Sequence, residues 1–504
     1  MLRRNIFLWL AVVAAGGMML RTHDIATHPL WQDEAESAIY ALQILDVGYP
    51  HDTFRGERLY ETRSFLLDDD PKYAYQSTNF IGSKYEKNKG WLPYYLIAGS
   101  FRLFGVGDWQ ARLPAVLISG LTILAVYWLA RSALSPPASL VAALIHAGNY
   151  FAIIHERQAR YYGLVMLLSA LAFASWGRLR PRGQTRWLWA AAGCWVLLFH
   201  THAPAAVFFS LVFFLDGWRA FSHWPWATRW NAVTVAAAAT ALTVPWLVVV
   251  HAAAVWRYRS VDPLGFRPQW LALMVIAASV AVVLGGLWRR LGGRWRSLPP
   301  LLPWLLAVSA GYVVVVPLAV PADSVAERLF LPLLPFFPVI AVALIMRLKS
   351  PRMSADWLAA GTFVVAVVGG LGVLHANSLR RAAPYAVDWI APVAEQLDTA
   401  ERPSLVLSDY HQFSLAFATG LPTQLLSVLR CEYLRRFPDS IAYVRRPIAT
   451  VGGPIVALPY CDPGDAACIA RVDEHLTCLT ADRACQRRTI AGTELLSCGA
   501  PATL

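Results

Sequence analysis

Three carboxylates stand close together near the amino terminus, in the stretch LWQDEAESAIYALQIL, residues 30–45. Asp33, Glu34 and Glu36 fall within four positions, beside an apolar pattern that is otherwise typical of a helix. One interpretation is a helix amino terminus, with Asp33 as N-cap and Glu36 at the spacing of a capping box. The other is chemistry, since a rigidly held carboxylate can act as a general base.

Arginines and tyrosines form a second group in HERQARYYG, residues 155–163, which contains Glu156, Arg157, Arg160 and Tyr161. The stretch follows a predicted membrane span. Such residues can simply anchor a span at the membrane interface. Arginine also presents a forked set of donors that matches phosphate oxygens, so the same residues are candidates for a phosphate clamp.

Two more stretches carry candidate side chains. HTHAP places His200 and His202 at a predicted turn, where they are either polar turn residues or, with a nearby carboxylate, metal ligands. AERLFLPLLPFFP, residues 326–338, places Arg328 at the start of a span rich in proline. Prolines kink spans and free backbone carbonyls, which often marks a cavity, although an ordinary kinked helix would look the same.

The elements that must position these residues are membrane helices. The chain has 504 residues, 57% of them hydrophobic, and its mean hydropathy is positive, which is too apolar for a soluble protein. The net charge of +12 is spread in small clusters between apolar segments, a pattern that indicates membrane topology rather than a nucleic-acid site. Eleven spans are predicted, the first of them retained rather than cleaved as a signal peptide: 5–20, 113–130, 138–154, 162–177, 187–199, 203–216, 231–251, 270–288, 301–320, 329–347 and 357–375.

Charge asymmetry orients these spans. With the amino terminus in the cytoplasm, most arginines and lysines of the short loops fall on the cytoplasmic side, as the positive-inside rule requires. Residues 21–112 then form a large, acid-rich outer loop, with amphipathic pieces at 34–46 and 91–105 that are expected to lie along the membrane surface. The stretches that contain Arg160 and Arg328 are predicted to lie on this same outer side of the membrane.

The cysteines agree with this orientation. Six of the seven lie in the tail, on the predicted outer side, which suggests disulfides in an oxidising compartment, with free cytosolic thiols as the alternative. Six cysteines allow fifteen pairings, and the sequence does not choose among them. The candidates are Cys431, Cys461, Cys468, Cys478, Cys485 and Cys498.

The predicted architecture is an all-α polytopic membrane domain, residues 1–375, followed by a small α/β extracytoplasmic domain, residues 376–504. In the tail, RPSLVLSDY and PIVALPY have the composition of strands. That domain is expected to bind the acceptor or a partner, and none of its residues is predicted to be catalytic.

Four segments, taken in order, resemble the integral-membrane glycosyltransferases of the GT-C fold. The likeness is greatest to glycosyltransferase family 39, whose relatives include protein O-mannosyltransferases and the aminoarabinose transferases that act on lipid A. It covers roughly residues 1–350 and rests on WQDEAESAIYALQILDVGYP, WLPYYLIAGSFRLFGVGDWQARLPAVLISGL, RQARYYGLVMLLSALA and ERLFLPLLPF. The resemblance implies a sugar donor on a polyprenyl phosphate, presented at the outer leaflet of a bacterial inner membrane.

Roles follow from the chemistry of such a transfer. The acceptor hydroxyl needs a general base, for which Asp33 is the candidate, with Glu34 as a supporting or acceptor-orienting acid. The departing phosphate gains charge and needs cations, a divalent metal ion near Asp33 being left open as the one candidate cofactor. A single displacement predicts inversion at the anomeric carbon. The candidate phosphate ligands are Arg157, Arg160, Tyr161 and Arg328, and further substrate contacts are Lys89, His200, His202 and Glu156.

Two other functions are compatible with a polytopic chain. A transporter or flippase of lipid-linked sugars would carry ionisable residues at mid-span and internal repeats, and neither is evident in the sequence. An inactive structural subunit with the same fold would not need the Asp33–Glu34 pair. The expected acceptor is a lipid, a glycan or a protein, and no nucleic-acid partner is expected.

Overall fold

Helices account for most of the chain that the computed structural model describes. The described residues are 5–51, 53–59, 80–81, 85–86, 90–258, 301–319, 327–348, 389–397, 403–408, 412–425, 429–430, 446–447, 453–458, 483–490 and 493–499. The helices that precede the carboxy-terminal part are α1 (Ile6–Thr22), α2 (Gln32–Val47), α3 (Leu92–Phe104), α4 (Asp108–Ala130), α5 (Pro136–Ala147), α6 (Tyr150–Glu156), α7 (Tyr162–Arg182), α8 (Thr185–Phe199), α9 (Ala203–Phe221), α10 (Trp226–Tyr258), α11 (Leu301–Ala319) and α12 (Phe336–Leu348).

Two described helices are long and apolar enough to cross a membrane by themselves, α4 and the Tyr162–Leu179 part of α7. The number becomes three if the bent pair α5–α6 is one span. Shorter apolar helices match other predicted spans, among them α1, α8 and α9. The predicted spans 270–288 and 357–375 lie outside the described residues, so the total of eleven stays a prediction.

The predicted continuous span over 138–154 is instead two helices, α5 and α6, bent by 60°. The break has a local cause at Asn149, whose side chain accepts a hydrogen bond of 3.0 Å from the backbone N–H of Ala152 and caps a new helix. The predicted span at 329–347 also begins differently. Residues Glu327–Leu333, with Pro332 inside, form a 3-10 helix, and α12 starts only at Phe336.

The helices share one large apolar core. Phe173 of α7 lies at its centre, with ring centroids 5.0 Å from Phe209 of α9 and 4.8 Å from Phe336 of α12. Val126 of α4 and Leu305 of α11 are buried in the same cluster. Where these helices contact each other in place of lipid, close van der Waals packing is what stabilises them, because lipid tails are as apolar as the side chains of the core.

The two amphipathic pieces predicted in the first loop are confirmed as helices α2 and α3. They pack on each other, with Tyr40 edge-on to Tyr94 at 5.1 Å between ring centroids. Two short hairpins lie in the same loop: β1 (Thr53–Phe54) with β2 (Glu57–Arg58), and β3 (Phe80–Ile81) with β4 (Tyr85–Glu86). Exposed apolar side chains on α3, including Leu103 and Phe104, are compatible with the predicted position at a membrane surface.

The carboxy-terminal part contains a mixed five-stranded sheet and two short helices. The sheet order is β10 (Cys485–Ile490), β11 (Thr493–Cys498), β9 (Ile455–Leu458), β5 (Leu405–Ser408) and β6 (Thr423–Leu425), with β5 parallel to both β6 and β9. The helices are α13 (Ile390–Gln396) and α14 (Gln412–Thr419), and a separate parallel pair joins β7 (Leu429–Arg430) to β8 (Arg446–Pro447). The two strands predicted from RPSLVLSDY and PIVALPY are present as β5 and β9.

Two of the six candidate cysteines form a disulfide. Cys485 and Cys498 pair across the β10–β11 hairpin, where they stand directly opposite each other. Cys431, Cys461, Cys468 and Cys478 lie outside the described residues, so their pairing stays a prediction.

Candidate active site

The carboxylate group of the first loop sits at the start of α2, but not as a capping box. The helix begins at Gln32, with Trp31 as N-cap and no side-chain cap, so the prediction of Asp33 as N-cap is wrong. Asp33 and Glu34 occupy the first turn, where the helix dipole favours negative charge. Glu36 does not cap the helix, because its carboxylate accepts a hydrogen bond from Arg160 instead.

Glu34 is held by Arg112 of α4. The guanidinium donates to both carboxylate oxygens, from Nε to Oε1 at 2.9 Å and from Nη2 to Oε2 at 2.6 Å. The same arginine also donates to the carbonyls of the 25–29 segment, at Ile25, His28 and Pro29. A forked pair of this kind is among the strongest side-chain contacts, and it joins α4 to the beginning of α2.

Glu34 also reaches the arginine-rich loop between α6 and α7. Its Oε1 accepts a hydrogen bond of 2.9 Å from the backbone N–H of Ala159. Only 1% of the Glu34 side chain is exposed. Both oxygens are engaged and almost no surface is exposed, so the geometry favours the first of the two roles predicted for Glu34, a supporting acid, over orientation of an acceptor.

Arg160 projects from that loop onto the carboxylates of α2. Its Nη1 donates to Glu36 Oε2 at 2.7 Å and to the Asp33 carbonyl at 2.6 Å, while Nη2 lies 3.5 Å from Asp33 Oδ2. Burial opposes the charge of the guanidinium, but Asp33 and Glu36 outweigh it and raise the pKa of Arg160. Arg160 therefore stays cationic, and much of its hydrogen-bonding capacity is used within the protein.

Asp33 differs from its two acidic neighbours in exposure. Its side chain is 27% exposed, whereas those of Glu34 and Glu36 are at 1% and 2%. Of these three carboxylates, Asp33 is thus the one that an incoming molecule can reach. The carbonyl of Asp33 is held by Arg160 and by the Ser37 hydroxyl, which fixes the backbone from which the carboxylate projects.

Glu156, a predicted substrate contact, is fully buried elsewhere. Arg21 of α1 donates to its Oε2 from Nε at 2.8 Å and from Nη2 at 2.6 Å, and His146 of α5 lies 3.3 Å from Oε1. A carboxylate with no exposed surface and these partners ties three elements together. The geometry gives Glu156 a structural role in place of the predicted one, because a substrate would have to displace Arg21 or His146.

Arg157 and Tyr161 lie on either side of Arg160 in the loop. Arg157 donates from Nη2 to the carbonyl of His23 and is half-buried. Tyr161 stacks on His202 at 5.4 Å between ring centroids, and the Arg160 guanidinium lies 5.7 Å from the Tyr161 ring. The loop between α8 and α9 is thereby brought next to the loop between α6 and α7.

The two histidines have different surroundings. His200 is pinned at both ring nitrogens, since Nδ1 accepts from Trp91 Nε1 at 3.0 Å and Nε2 donates to the carbonyl of Leu242 at 3.0 Å. His202 Nδ1 accepts from the backbone N–H of Ala205, and desolvation lowers the pKa of His202 to about 4, which keeps its ring neutral. Gly90 explains the close packing at His200, because a Cβ there would lie 2.1 Å from the His200 carbonyl oxygen.

The structure does not describe the side chains of two basic candidates, Lys89 and Arg328. Lys89 lies outside the described residues. Arg328 is located in the 3-10 helix that precedes α12, and its side chain lies outside what the structure describes. Their predicted roles as phosphate ligands stay predictions.

Two arginines that organise the site were not singled out by sequence reasoning. Arg112 belongs to the ARLP motif and Arg21 ends the first apolar run, but neither position indicates a partner. The available signal was charge balance: an apolar chain that buries Glu34 and Glu156 must supply a cation for each.

The profile of the family described as "Dolichyl-phosphate-mannose-protein mannosyltransferase" matches residues 88–249. A comparison with curated proteins finds no match. Among solved structures, ArnT from Cupriavidus metallidurans in the apo state aligns with a TM-score of 0.59 at 13% identity, over 97% of each chain. The same protein bound to undecaprenyl phosphate gives 0.58 at 14% identity, over 98% of this chain and 97% of that chain.

A third similar structure is the archaeal oligosaccharyltransferase AglB from Archaeoglobus fulgidus, in complex with an inhibitory peptide and a dolichol-phosphate. It aligns with a TM-score of 0.54 at 11% identity, over 97% of this chain and 74% of that chain. At such identities the alignments show a shared fold. Together with the family match they support the predicted function, a membrane glycosyltransferase that uses a polyprenyl-phosphate-linked donor.

Proposed function

We propose that the protein moves a sugar from a polyprenyl-phosphate donor to an extracytoplasmic acceptor, with Asp33 as the general base. The fold supports this, because it is the GT-C fold of membrane glycosyltransferases. The observation that carries the proposal is the separation of roles within one helical turn. Glu34 and Glu36 are buried and paired with arginines, whereas Asp33, which precedes both in the helix, retains exposed surface beside Arg160. The ligands named for ArnT and AglB, undecaprenyl phosphate and dolichol-phosphate, are polyprenyl phosphates without a sugar, and they support the lipid-phosphate part of the proposal.

The reaction needs one proton transfer and one displacement. The acceptor hydroxyl attacks the anomeric carbon while Asp33 takes its proton, so the new glycosidic bond forms as the bond between sugar and phosphate breaks. The electron pair of that bond leaves with the polyprenyl phosphate, which departs as a phosphomonoester. One base and one displacement give inversion at the anomeric carbon, for a hexosyl or a pentosyl group alike.

Arg160 suits the part of a positioning residue for this base. Its Nη2 lies 3.5 Å from Asp33 Oδ2, which ties the guanidinium to the carboxylate that would accept the proton. Its hydrogen bonds to Glu36 and to the Asp33 carbonyl both come from Nη1, so that nitrogen is already engaged within the protein. We therefore assign Arg160 to the base rather than to the donor phosphate.

Other cations must then neutralise the charge that develops on the leaving phosphate. Arg157 is the half-buried arginine next to the site, and Lys89 and Arg328 are the remaining basic candidates. Tyr161 and the neutral His202, whose rings stack on each other, add hydrogen-bonding groups next to Arg160. Cations placed around the departing oxygens stabilise charge that develops only in the transition state.

A divalent ion near Asp33 does not fit the residues that the structure describes. Hard cations take several oxygen ligands, and the neighbouring carboxylates of Glu34 and Glu36 are already paired with arginines. Among the described residues, no group of three His, Cys, Asp or Glu side chains is arranged to hold a metal. No step of the proposed reaction is routed through an ion.

The test is Asp33→Asn, which keeps the size of the side chain and removes the base. Transfer of labelled sugar from a polyprenyl-phosphate donor to extracted membrane acceptors should fall by roughly 10²–10⁴-fold, the usual contribution of a positioned base. Asp46→Asn is the matched control, because Asp46 is exposed at the other end of the same helix. Both proteins should elute as the wild type does in detergent.

Undiminished transfer by Asp33→Asn would remove Asp33 from the mechanism. A flippase would move the labelled donor across vesicles without forming a glycosylated product, and an inactive subunit would do neither. The product assay therefore separates the proposed function from both rivals.

A further inference from the structure

The beginning of α2 is held by the carboxy-terminal part of the chain. Trp31, the residue before the helix, packs against the apolar core of the five-stranded sheet. Gln32 is buried, and its Oε1 accepts a hydrogen bond of 3.1 Å from the backbone N–H of Phe413, 381 residues away in sequence. The two residues directly before Asp33 are thus both fixed by an element outside the first loop.

The partner of Gln32 is a helix that needs an acceptor at that point. α14 begins at Gln412, so the Phe413 N–H belongs to the first turn, whose amides have no carbonyl within the helix to bond. The amide oxygen of Gln32 fills that place. On its other side α14 is tied to the sheet, because Gln412 donates from Nε2 to the carbonyl of Thr423 at 3.0 Å.

α14 is buried on both faces. Leu415 lies in the core of the sheet, with Val406 and Val456. On the opposite face, Phe413 is edge-on to Tyr40 of α2, and Phe417 stacks on Phe101 of α3 at 6.2 Å with 20° between the rings. The helix therefore packs between the sheet on one face and the helices α2 and α3 on the other.

We propose that the sheet and α14 form a clamp that positions Asp33, with Gln32 as the positioning residue of that clamp. This rests on the proposed function of Asp33 as the base. The Asp33 carboxylate projects from a backbone whose amino-terminal side is held by the Gln32–Phe413 bond and whose carbonyl is held by Arg160. Displacing a catalytic group by about 1 Å can cost on the order of 10²-fold in rate, so a bond that fixes the preceding residue affects turnover without touching substrate.

Two variants loosen the clamp from different sides. Gln32→Leu keeps the size of the side chain but removes the acceptor for Phe413, and Phe417→Ala removes the stacking on Phe101 at the far end of α14. Gln43→Leu is the matched control, since Gln43 is an equally buried glutamine of α2 whose bonds, to the carbonyl of Thr53 and from the N–H of His51, hold only the first loop.

Two readouts are needed, transfer kinetics and amide hydrogen exchange over 412–420. For Gln32→Leu and Phe417→Ala we expect kcat to fall by about tenfold or more with KM for the donor within about twofold, because positioning is lost rather than binding. Exchange of the α14 amides should quicken in both. Gln43→Leu should leave kcat and the exchange of α14 close to wild type.

The outcomes are distinguishable. Faster exchange with unchanged kcat in Gln32→Leu would overturn the clamp as a positioning device, and an equal fall of kcat in Gln43→Leu would do the same by showing a general effect of loosening α2. If Gln32→Leu does not fold, Phe417→Ala decides by the same criteria. A wild-type protein without any transfer would overturn the proposed function, and unchanged exchange in Gln32→Leu would overturn the contact itself.

Discussion

Three acidic residues within four positions have three different environments. Glu34 is bonded to Arg112, Glu36 to Arg160, and Asp33 is the one that remains partly exposed. The difference arises from direction: consecutive residues of a helix point about 100° apart, so neighbours in sequence face different elements. A cluster of like charges is tolerated here because two of its members are neutralised by arginines from elsewhere in the fold.

The Arg160–Glu36 pair gives a prediction about stability. Arg160→Ala leaves the Glu36 carboxylate, which is 2% exposed, without its cation, and removing one partner of a buried pair costs about 3–5 kcal/mol. The double variant Arg160→Ala/Glu36→Gln removes the stranded charge and should recover much of that loss, while transfer stays low because Asp33 has lost its neighbour. Thermal unfolding in detergent measures both.

Arg131→Ala serves as the control for that comparison. Arg131 is exposed and donates to a nearby carbonyl, at Leu134, so its removal should change stability by no more than about 0.5 kcal/mol. An Arg160→Ala protein as stable as Arg131→Ala would show that Glu36 does not depend on Arg160.

At the scale of elements, hydrophobic pattern located the helices but not their interruptions. Helices over 6–22, 108–130 and 162–182 agree with predicted spans because a long apolar run has few alternatives in a membrane. The break at Asn149 was missed because spans are predicted from hydropathy averaged over many residues. Such an average does not detect a capping hydrogen bond between residues three positions apart. Charge balance requires a cation for Glu34 and for Glu156, but it does not identify Arg112 and Arg21, since no local pattern connects residues 78 or 135 positions apart.

The loop between α8 and α9 gives a pH prediction. His202 has a pKa of about 4 in the folded protein, against about 6.5 for an unperturbed histidine. Between pH 6.5 and pH 4, His202 is protonated in the unfolded chain but stays neutral in the folded protein. Proton binding then favours the unfolded state, so the free energy of unfolding is highest above pH 6.5 and decreases as the pH falls towards 4. His202→Asn keeps an acceptor for the Ala205 N–H and cannot titrate.

The measurement is the unfolding temperature of both proteins from pH 8 to pH 4. The wild type should lose more stability than His202→Asn between pH 6.5 and pH 4, and the two curves should run parallel above that window. Curves that remain parallel over the whole range would mean that the His202 ring is not held neutral.

For the whole molecule, the site lies where two distant parts of the chain meet. The helical part supplies the carboxylates and arginines, and the carboxy-terminal sheet supplies α14, which packs on α2 and α3. From the sequence, the tail was expected to bind the acceptor or a partner but to take no part in catalysis, because no motif in it looks catalytic. Contact between the two parts also requires them to share one side of the membrane.

That requirement leads to a prediction of topology. The positive-inside pattern puts the loop at 183–184 in the cytoplasm and the tail outside, and the Cys485–Cys498 disulfide needs an oxidising compartment. In a bacterial host, alkaline phosphatase fused after Leu504 should be active and green fluorescent protein at the same place dark, whereas insertions at 183–184 should give the opposite pair. A non-reducing digest should contain the linked Cys485 and Cys498 peptides. A fluorescent green fluorescent protein fusion after Leu504, together with free thiols at Cys485 and Cys498, would place the tail in the cytoplasm. Because α14 packs on α2, Asp33 would then lie on the cytoplasmic side as well.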